Sequence, residues 1–298
     1  MDWKSRRVRA VLEAALAEDK AAGDLTTAMT IDPKLCGVGT IIARSPCVVA
    51  GLGAIPVVFD LFAAQRAKAG APPAGRFEIV SHPEIFDGVK VRKNQPIAVI
   101  RHNAAALFAT ERVILNLLQR MSGIASATRR YADAVAGTKT RILDTRKTTP
   151  GLRLVEKYAV NCGGGVTHRQ DLEDGVLIRR SHIELGGGIA KTLRNAQRFG
   201  RGRQVIQIEL RSLAEVEEAI AGKAGAFLLG AMTPTQCKRA LKDIRAALPD
   251  ATVGFTGAGS PEEARLYALA GVDFIAVSGL TQEASSADLA MRLAADAR

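Results

Sequence analysis

Cysteine is scarce and scattered. Cys36, Cys47, Cys162 and Cys237 form no CxxC pair, which argues against a zinc site and against a disulfide framework. Aromatic residues make up only 4% of the chain, too few for the stacking platforms that single-stranded nucleic acids need. No helix-turn-helix or zinc-finger pattern is present, so no nucleic-acid partner is expected. No apolar run approaches the roughly 18–20 residues that span a bilayer, so no membrane partner is expected either. The opening stretch MDWKSRRVRAVLEAALAED is charged and amphipathic, not uninterruptedly apolar, and a cytoplasmic location is the expectation. Acid is also in short supply: 30 Asp and Glu stand against 41 Lys and Arg, a net charge of +11. Such an excess favours an anionic partner, and a small polyanion suits it better than a polymer.

What is present is ordinary for a globular chain. The 298 residues, 47% hydrophobic and 24% charged, suffice for two domains. Residues 1–20 have Val8, Val11, Leu12, Ala15 and Leu16 at helical spacing, and Gly23-Asp24-Leu25-Thr26-Thr27 stops that helix. Short β runs follow at 38–43, 77–80 and 97–100, interrupted by a helix over 54–68. Residues 68–76, rich in Ala, Gly and Pro, read as a surface loop. A long helix is expected over 104–121, ending near Ser122-Gly123, and a second over 125–136.

From there apolar strands and helices alternate. Strands are expected at 141–144, 176–178, 205–210, 227–229, 253–255 and 274–277, with helices near 152–162, 189–198, 212–222, 234–247 and 260–270. Apolar runs alternating with helices imply parallel strands buried on both faces. Repeated units with short connections fit a complete or partial α/β barrel, with an open doubly wound sheet as the rival.

In such a barrel the functional groups follow each strand at its carboxyl end. Those positions carry Asp144-Thr145-Arg146-Lys147, Arg179-Arg180-Ser181-His182, Glu209 and Arg211, Gly230-Ala231, Thr256-Gly257-Ala258-Gly259, and Ser278-Gly279. Between the first two strands lies Cys162-Gly163-Gly164-Gly165-Val166-Thr167-His168-Arg169. So many cations on one face repel unless an anion neutralises them. The late glycine turns lead into helices, where backbone amides reach phosphate. Each feature also has a plainer reading. The glycine run marks a loop, His182 a structural hydrogen bond, Arg179-Arg180 a solvated pair, and Glu209 a buried ion pair.

The stretch TRKTTPGLRLVEKYAVNCGGGVTHR, residues 145–169, closely resembles the signature of quinolinate phosphoribosyltransferases, also called nicotinate-nucleotide pyrophosphorylases. GDLTT at 23–27, ERVILNLLQRMSGIA at 111–125 and DLAMRL at 288–293 fit the same family in order and spacing. The resemblance implies an N-terminal open α/β sandwich domain over 1–115, rejoined by 282–298, and an α/β barrel over 116–281. It implies transfer of phosphoribose from phosphoribosyl pyrophosphate to quinolinate, giving nicotinate mononucleotide, pyrophosphate and CO2 in NAD biosynthesis, with Mg2+. It implies a homodimer or higher homo-oligomer in which Arg112 reaches the neighbouring subunit's site. Arg146, His168, Arg169 and Arg179 then match substrate-binding positions, as do the Thr256-Gly257 and Ser278-Gly279 turns. Lys147 and Glu209 match the catalytic ones, with Glu209 near the metal.

Departures from the family pattern gather at the site. Leu-Asp-Asn is here Leu229-Gly230-Ala231, which removes an acid. Lys-Asp/Glu-Asn-His is here Arg179-Arg180-Ser181-His182, which turns an acid into a base. Gln207 replaces a frequent glutamate two residues before Glu209. Three readings stay open: a working quinolinate phosphoribosyltransferase, a divergent paralogue with a different acidic substrate, and a non-catalytic binding homologue.

Overall fold

The apolar runs fold into two main sheets of opposite kind and one small two-stranded sheet in the computed structural model, which describes residues 1–71, 75–199 and 205–296. In chain order the elements of the first half are α1 (Arg6–Glu18), α2 (Leu25–Thr30), β1 (Cys36–Ala43), β2 (Cys47–Val48), α3 (Ala54–Lys68), β3 (Glu78–Val80), β4 (Lys90–Val91), β5 (Pro96–Asn103) and α4 (Ala104–Ala134). Then come β6 (Arg141–Leu143), α5 (Arg153–Cys162), β7 (Val176–Ile178), α6 (Arg180–Gly186), α7 (Ile189–Phe199), β8 (Ile206–Leu210), α8 (Leu213–Ala221), β9 (Ala226–Gly230), α9 (Pro234–Ala247), β10 (Thr252–Thr256), α10 (Pro261–Ala270), β11 (Phe274–Ala276), α11 (Gly279–Gln282) and β12 (Leu289–Ala295). Of the expected loop 68–76, residues 72–74 lie outside the described residues.

The chain divides into two compact units. The first is Met1–Ala127 with Thr149–Gly163 and Ala284–Arg298; the second is Thr128–Thr148 with Gly164–Glu283. The boundary expected at 115/116 falls inside the continuous helix α4, because nothing in its apolar periodicity stops there.

In the first unit, β12, β1, β5 and β3 form an antiparallel sheet in that order. One face of α1 (Val8, Leu12, Leu16) and most of α3 (Ile55, Val57, Val58, Phe59, Leu61, Phe62) are buried in a single core with β1, β5 and α4. Each such large apolar side chain contributes about 1.5–3 kcal/mol on burial. Segment 149–163 belongs here through a buried ion pair: Arg120 donates to Glu156 at 2.8 and 2.9 Å, and the Thr149 amide donates to the same carboxylate at 3.0 Å. Tyr158 adds a hydrogen bond to Asp87 at 2.6 Å.

One local expectation is corrected here. Helix α4 does not end at Ser122-Gly123. The Ser122 and Ser126 hydroxyls accept hydrogen bonds from the Ala50 and Val48 amides at 3.1 and 2.8 Å, and a Cβ on Gly123 would lie 2.0 Å from the Ser285 carbonyl oxygen. The small residues admit neighbouring backbone instead of breaking the helix. The stop expected at 23–27 holds, since α1 ends at Glu18, and Asp24 there also caps the new helix α2 by accepting from the Thr27 amide at 3.1 Å.

His102 points into this core. It is 5% exposed and lies edge-on to Phe59 and Phe77 with ring centroids 5.0 and 5.8 Å away. Burial pushes its pKa below the ordinary 6.5, against a smaller opposing effect of a backbone hydrogen bond with Arg76. The folded chain therefore takes up this proton less readily than the unfolded chain, so stability falls as pH drops below about 6.5 and is unaffected above it. Wild-type Tm is expected to drop more than that of His102→Phe between about pH 7 and pH 5. Equal drops in the two proteins would refute this assignment.

In the second unit, six parallel strands lie in the order β6-β11-β10-β9-β8-β7. From β7 to β11 neighbours in space are neighbours in sequence, and the first strand, β6, sits beside the last. That cyclic order is a barrel's; a doubly wound sheet reverses at a switch point and is excluded. The sheet is open between β6 and β7, where Leu143 and Val166 make an isolated parallel bridge. Strand-to-helix turns are capped by Ser212, Thr233 and Ser260 side chains, which accept from the amides of Glu215, Gln236 and Glu263. The short helix α6, closed by left-handed Gly187 (φ 82°), was unexpected, since its seven residues are too few to show a period.

Candidate active site

Strand register decides which side chains face the barrel interior. Gln207 lies opposite Ala226, Glu209 opposite Leu228, Gly254 opposite Leu228 and Phe274, and Thr256 opposite Gly230 and Ala276. Leu143, Leu228, Phe274 and Ala276, with Leu177, pack together on that face and mark it as interior. Alternation places Gln207 and Glu209 on it too, with Gly230 and Thr256 at its carboxyl end. The opposite face holds Ile178, Ile208, Leu210, Phe227, Leu229, Val253 and Phe255, each at most 4% exposed. This is why the strands read as continuous apolar runs.

The interior is floored by the Phe274 ring, which fits only because residue 254 is glycine: a Cβ there would lie 2.1 Å from the ring. His168 stacks on Phe274, centroids 6.3 Å apart and planes 30° apart. Its backbone amide donates to fully buried Asp144 at 2.8 Å, and its Nε2 lies 3.3 Å from the Gln207 amide oxygen. Gly254→Ala is expected to displace Phe274 and lower stability by about 1–3 kcal/mol, read from the denaturation midpoint. An unchanged midpoint would show that the ring has room to move.

Arg169 follows this histidine in the chain, with the charges of Arg146 and Arg179 near it. Arg169 adopts left-handed backbone (φ 34°) and donates through Nη1 to the Gly175 carbonyl at 3.1 Å. Its pKa is lowered, first by burial, then by the nearby Arg146 and Arg179 charges, with Asp174 opposing. The Nε of Arg146 is buried with no hydrogen-bond partner. An unsatisfied buried N–H costs about 1–3 kcal/mol, more when charged, so an incoming carboxylate oxygen relieves a standing deficit. Lys147 is exposed, its backbone pinned by the Thr281 hydroxyl, which donates to its carbonyl at 2.7 Å.

The remaining candidates divide. Arg211 donates to Glu209 at 3.2 Å, and the Glu209 side chain is 16% exposed. Arg180 pairs with Glu184 at 2.7 Å, both more than half exposed, so the base that stands for an acid is neutralised on its own helix. His182 caps α6: its Nδ1 accepts from the Arg179 amide at 3.0 Å. These two follow the plainer reading. Gly257 needs its freedom at φ 110°, but the Gly259 amide already donates to Glu263 at 2.8 Å, which narrows the amide nest after β10. Ser278 and Gly279 open the four-residue α11, and a Cβ on Gly279 would lie 3.3 Å from a Glu283 carboxylate oxygen. Arg112 lies on α4 in the first unit, 59% exposed and 4.0 Å from Glu111. Sequence reasoning missed Phe274 and Glu283 as site neighbours, and it placed Gln207 at the site without its His168 partner. The polar residue inside an apolar strand signalled Gln207 itself, and only the fold supplied its partner.

Comparison with known proteins agrees with this layout. Residues 24–122 match the family description "Quinolinate phosphoribosyl transferase, N-terminal domain" and residues 124–292 match its C-terminal domain. The chain is 35% identical over 296 residues to the nicotinate-nucleotide pyrophosphorylase (carboxylating) of Mycobacterium leprae, covering 98% of this chain and 99% of that one. Among solved structures it is similar to NadC from Streptococcus pyogenes (TM-score 0.89, 30% identity, 99% of each chain). The nicotinate-nucleotide pyrophosphorylase from Francisella tularensis is also similar (TM-score 0.85, 31% identity, 97% of this chain and 96% of that one).

Proposed function

Because the chain belongs to the quinolinate phosphoribosyltransferase family, we propose that it joins quinolinate to the phosphoribose of phosphoribosyl pyrophosphate, releasing pyrophosphate and CO2 and leaving nicotinate mononucleotide. The observation that carries this is the buried, partnerless Arg146 Nε beside Arg169 and Arg179. A dicarboxylate meets that need, since guanidinium forks fix a carboxylate in the plane of a ring. Arg146 and Arg169 hold the acceptor, with Arg112 supplied by a second copy of the chain in a homodimer.

The pyridine nitrogen attacks the anomeric carbon as the diphosphate leaves. Glu209, at the carboxyl end of the interior, stabilises the positive charge that develops on the ribose. The ring carboxylate next to the nitrogen then departs as CO2. Lys147 and Arg169 stabilise the electron pair left on that carbon until a proton replaces it. The turns at Thr256-Gly257 and Ser278-Gly279 face the donor's phosphates.

Among the described residues there is no group of three or more His, Cys, Asp or Glu that could hold a metal ion. Glu209, already paired with Arg211, does not fit a resident metal centre. Magnesium fits as part of the substrate, carried on the diphosphate with most of its water ligands. No helix among the described residues is long and apolar enough to cross a membrane, and a cytoplasmic setting is part of this proposal.

The test is turnover of quinolinate with phosphoribosyl pyrophosphate and magnesium, following pyrophosphate and nicotinate mononucleotide together. Product formation that a chelator stops is expected. Gly230 favours a second reading, a paralogue with another acidic acceptor, because the interior lacks an acid there. That reading gains if the donor is hydrolysed or transferred only with a different aromatic acid. Binding without turnover of any donor would point to the non-catalytic homologue.

A further inference from the structure

We infer that Gln207 is a positioning residue that holds the His168 ring while leaving its charge removable, so that affinity for the dicarboxylate acceptor varies with pH. The inference rests on the reading that this site takes quinolinate. Gln207 is 6% exposed and lies between Leu177 and Ala226 across the sheet. A buried amide in such a setting needs a hydrogen-bond partner, and the partner is the His168 ring, with 3.3 Å between Oε1 and Nε2. Phe274 bounds one ring face, and Asp144 holds the backbone amide. The ring is therefore oriented from several sides whatever its charge.

The amide is what leaves the charge free. A glutamine amide can partner Nε2 in either charge state, its oxygen accepting from Nε2–H or, with the amide turned, its NH2 donating to a bare Nε2. A carboxylate in the same place would hold the ring in its charged form. Two charged residues border this histidine: Asp144, which accepts from its backbone amide, and Arg169, next in the chain. Gln207 is the ring neighbour at which one isosteric change, to a carboxylate, sets a negative charge against Nε2. Protonated, His168 adds a cation for a carboxylate of the acceptor; deprotonated, it removes one.

The experiment uses the intact protein and three proteins in parallel: wild type, Gln207→Glu and Gln207→Leu. The four histidines of the chain make titration of the His168 ring by nuclear magnetic resonance tractable. Quinolinate affinity is measured by calorimetry over the same pH range. In wild type, affinity is expected to weaken about tenfold per pH unit above the His168 midpoint. In Gln207→Glu both the midpoint and the break in affinity move up together by about one pH unit or more. Gln207→Leu binds more weakly at every pH because the ring loses its anchor.

A wild-type affinity that is flat with pH would overturn the inference, and that result needs no variant to fold. Coincident His168 midpoints in wild type and folded Gln207→Glu would overturn it as well. If wild type binds no quinolinate at any pH, the acceptor reading falls, and the His168 titrations of the unliganded proteins still decide the coupling.

Discussion

Arg146→Gln is expected to lower kcat/KM for quinolinate roughly a hundredfold or more, mostly as a rise in KM. Removing one side of a buried, hydrogen-bonded charge pair costs about 2–5 kcal/mol, and every 1.4 kcal/mol is about tenfold. The buried Nε has no protein acceptor, so its interaction energy is realised with ligand and lost with the side chain. Arg146→Lys keeps the charge but not the fork or the Nε. Most of the loss should remain, about tenfold or greater, because the two cations are not interchangeable at a bidentate site. The same substitution to glutamine should leave the fold intact and raise Tm slightly. It removes an unsatisfied buried group and relieves repulsion with Arg169, the exchange of stability for binding often seen at sites. Wild-type KM with a lowered Tm would show that Arg146 is structural.

The second large effect is a gain. Gly230→Asp combined with Ala231→Asn should lower the KM for phosphoribosyl pyrophosphate about tenfold or more, since a charged hydrogen bond is worth about 1.5–3 kcal/mol. The backbone is ready for both changes. Gly230 has no positive φ, and a Cβ there meets Thr256 Cγ2 at 3.4 Å, an ordinary contact. Ala231 sits at φ 51°, a left-handed conformation that costs an alanine about 1–2 kcal/mol and that asparagine tolerates better. Ala231→Asn alone should therefore raise stability without changing donor affinity, which separates the two contributions. An unchanged donor KM in the double variant would sink the idea that the missing acid weakens this site.

The strand and helix positions of the barrel were legible because each apolar run is short and bounded, and parallel strands under helices must be apolar on the outer face. Val176–Ile178 and Pro234–Ala247 stand where periodicity and capping residues put them. Helix α4 was misread at Ser122-Gly123 because small residues signal both helix ends and close packing. Only the approach of Ser285, more than a hundred residues later in the chain, tells the two apart.

The site shows the same division. Sequence alone determined that cations collect after the strands and that Glu209 sits in an apolar run, since residue type and strand period are local properties. Tertiary structure decided which of those cations serve. Arg180 turned to Glu184 and His182 to its own helix cap, while the Arg146 Nε was left buried with an open hydrogen bond. It also joined His168 to Gln207, 39 residues apart in sequence. Parallel strands pair through crossovers, so partners across the interior are set by sheet register and packing, which no stretch of neighbouring residues encodes.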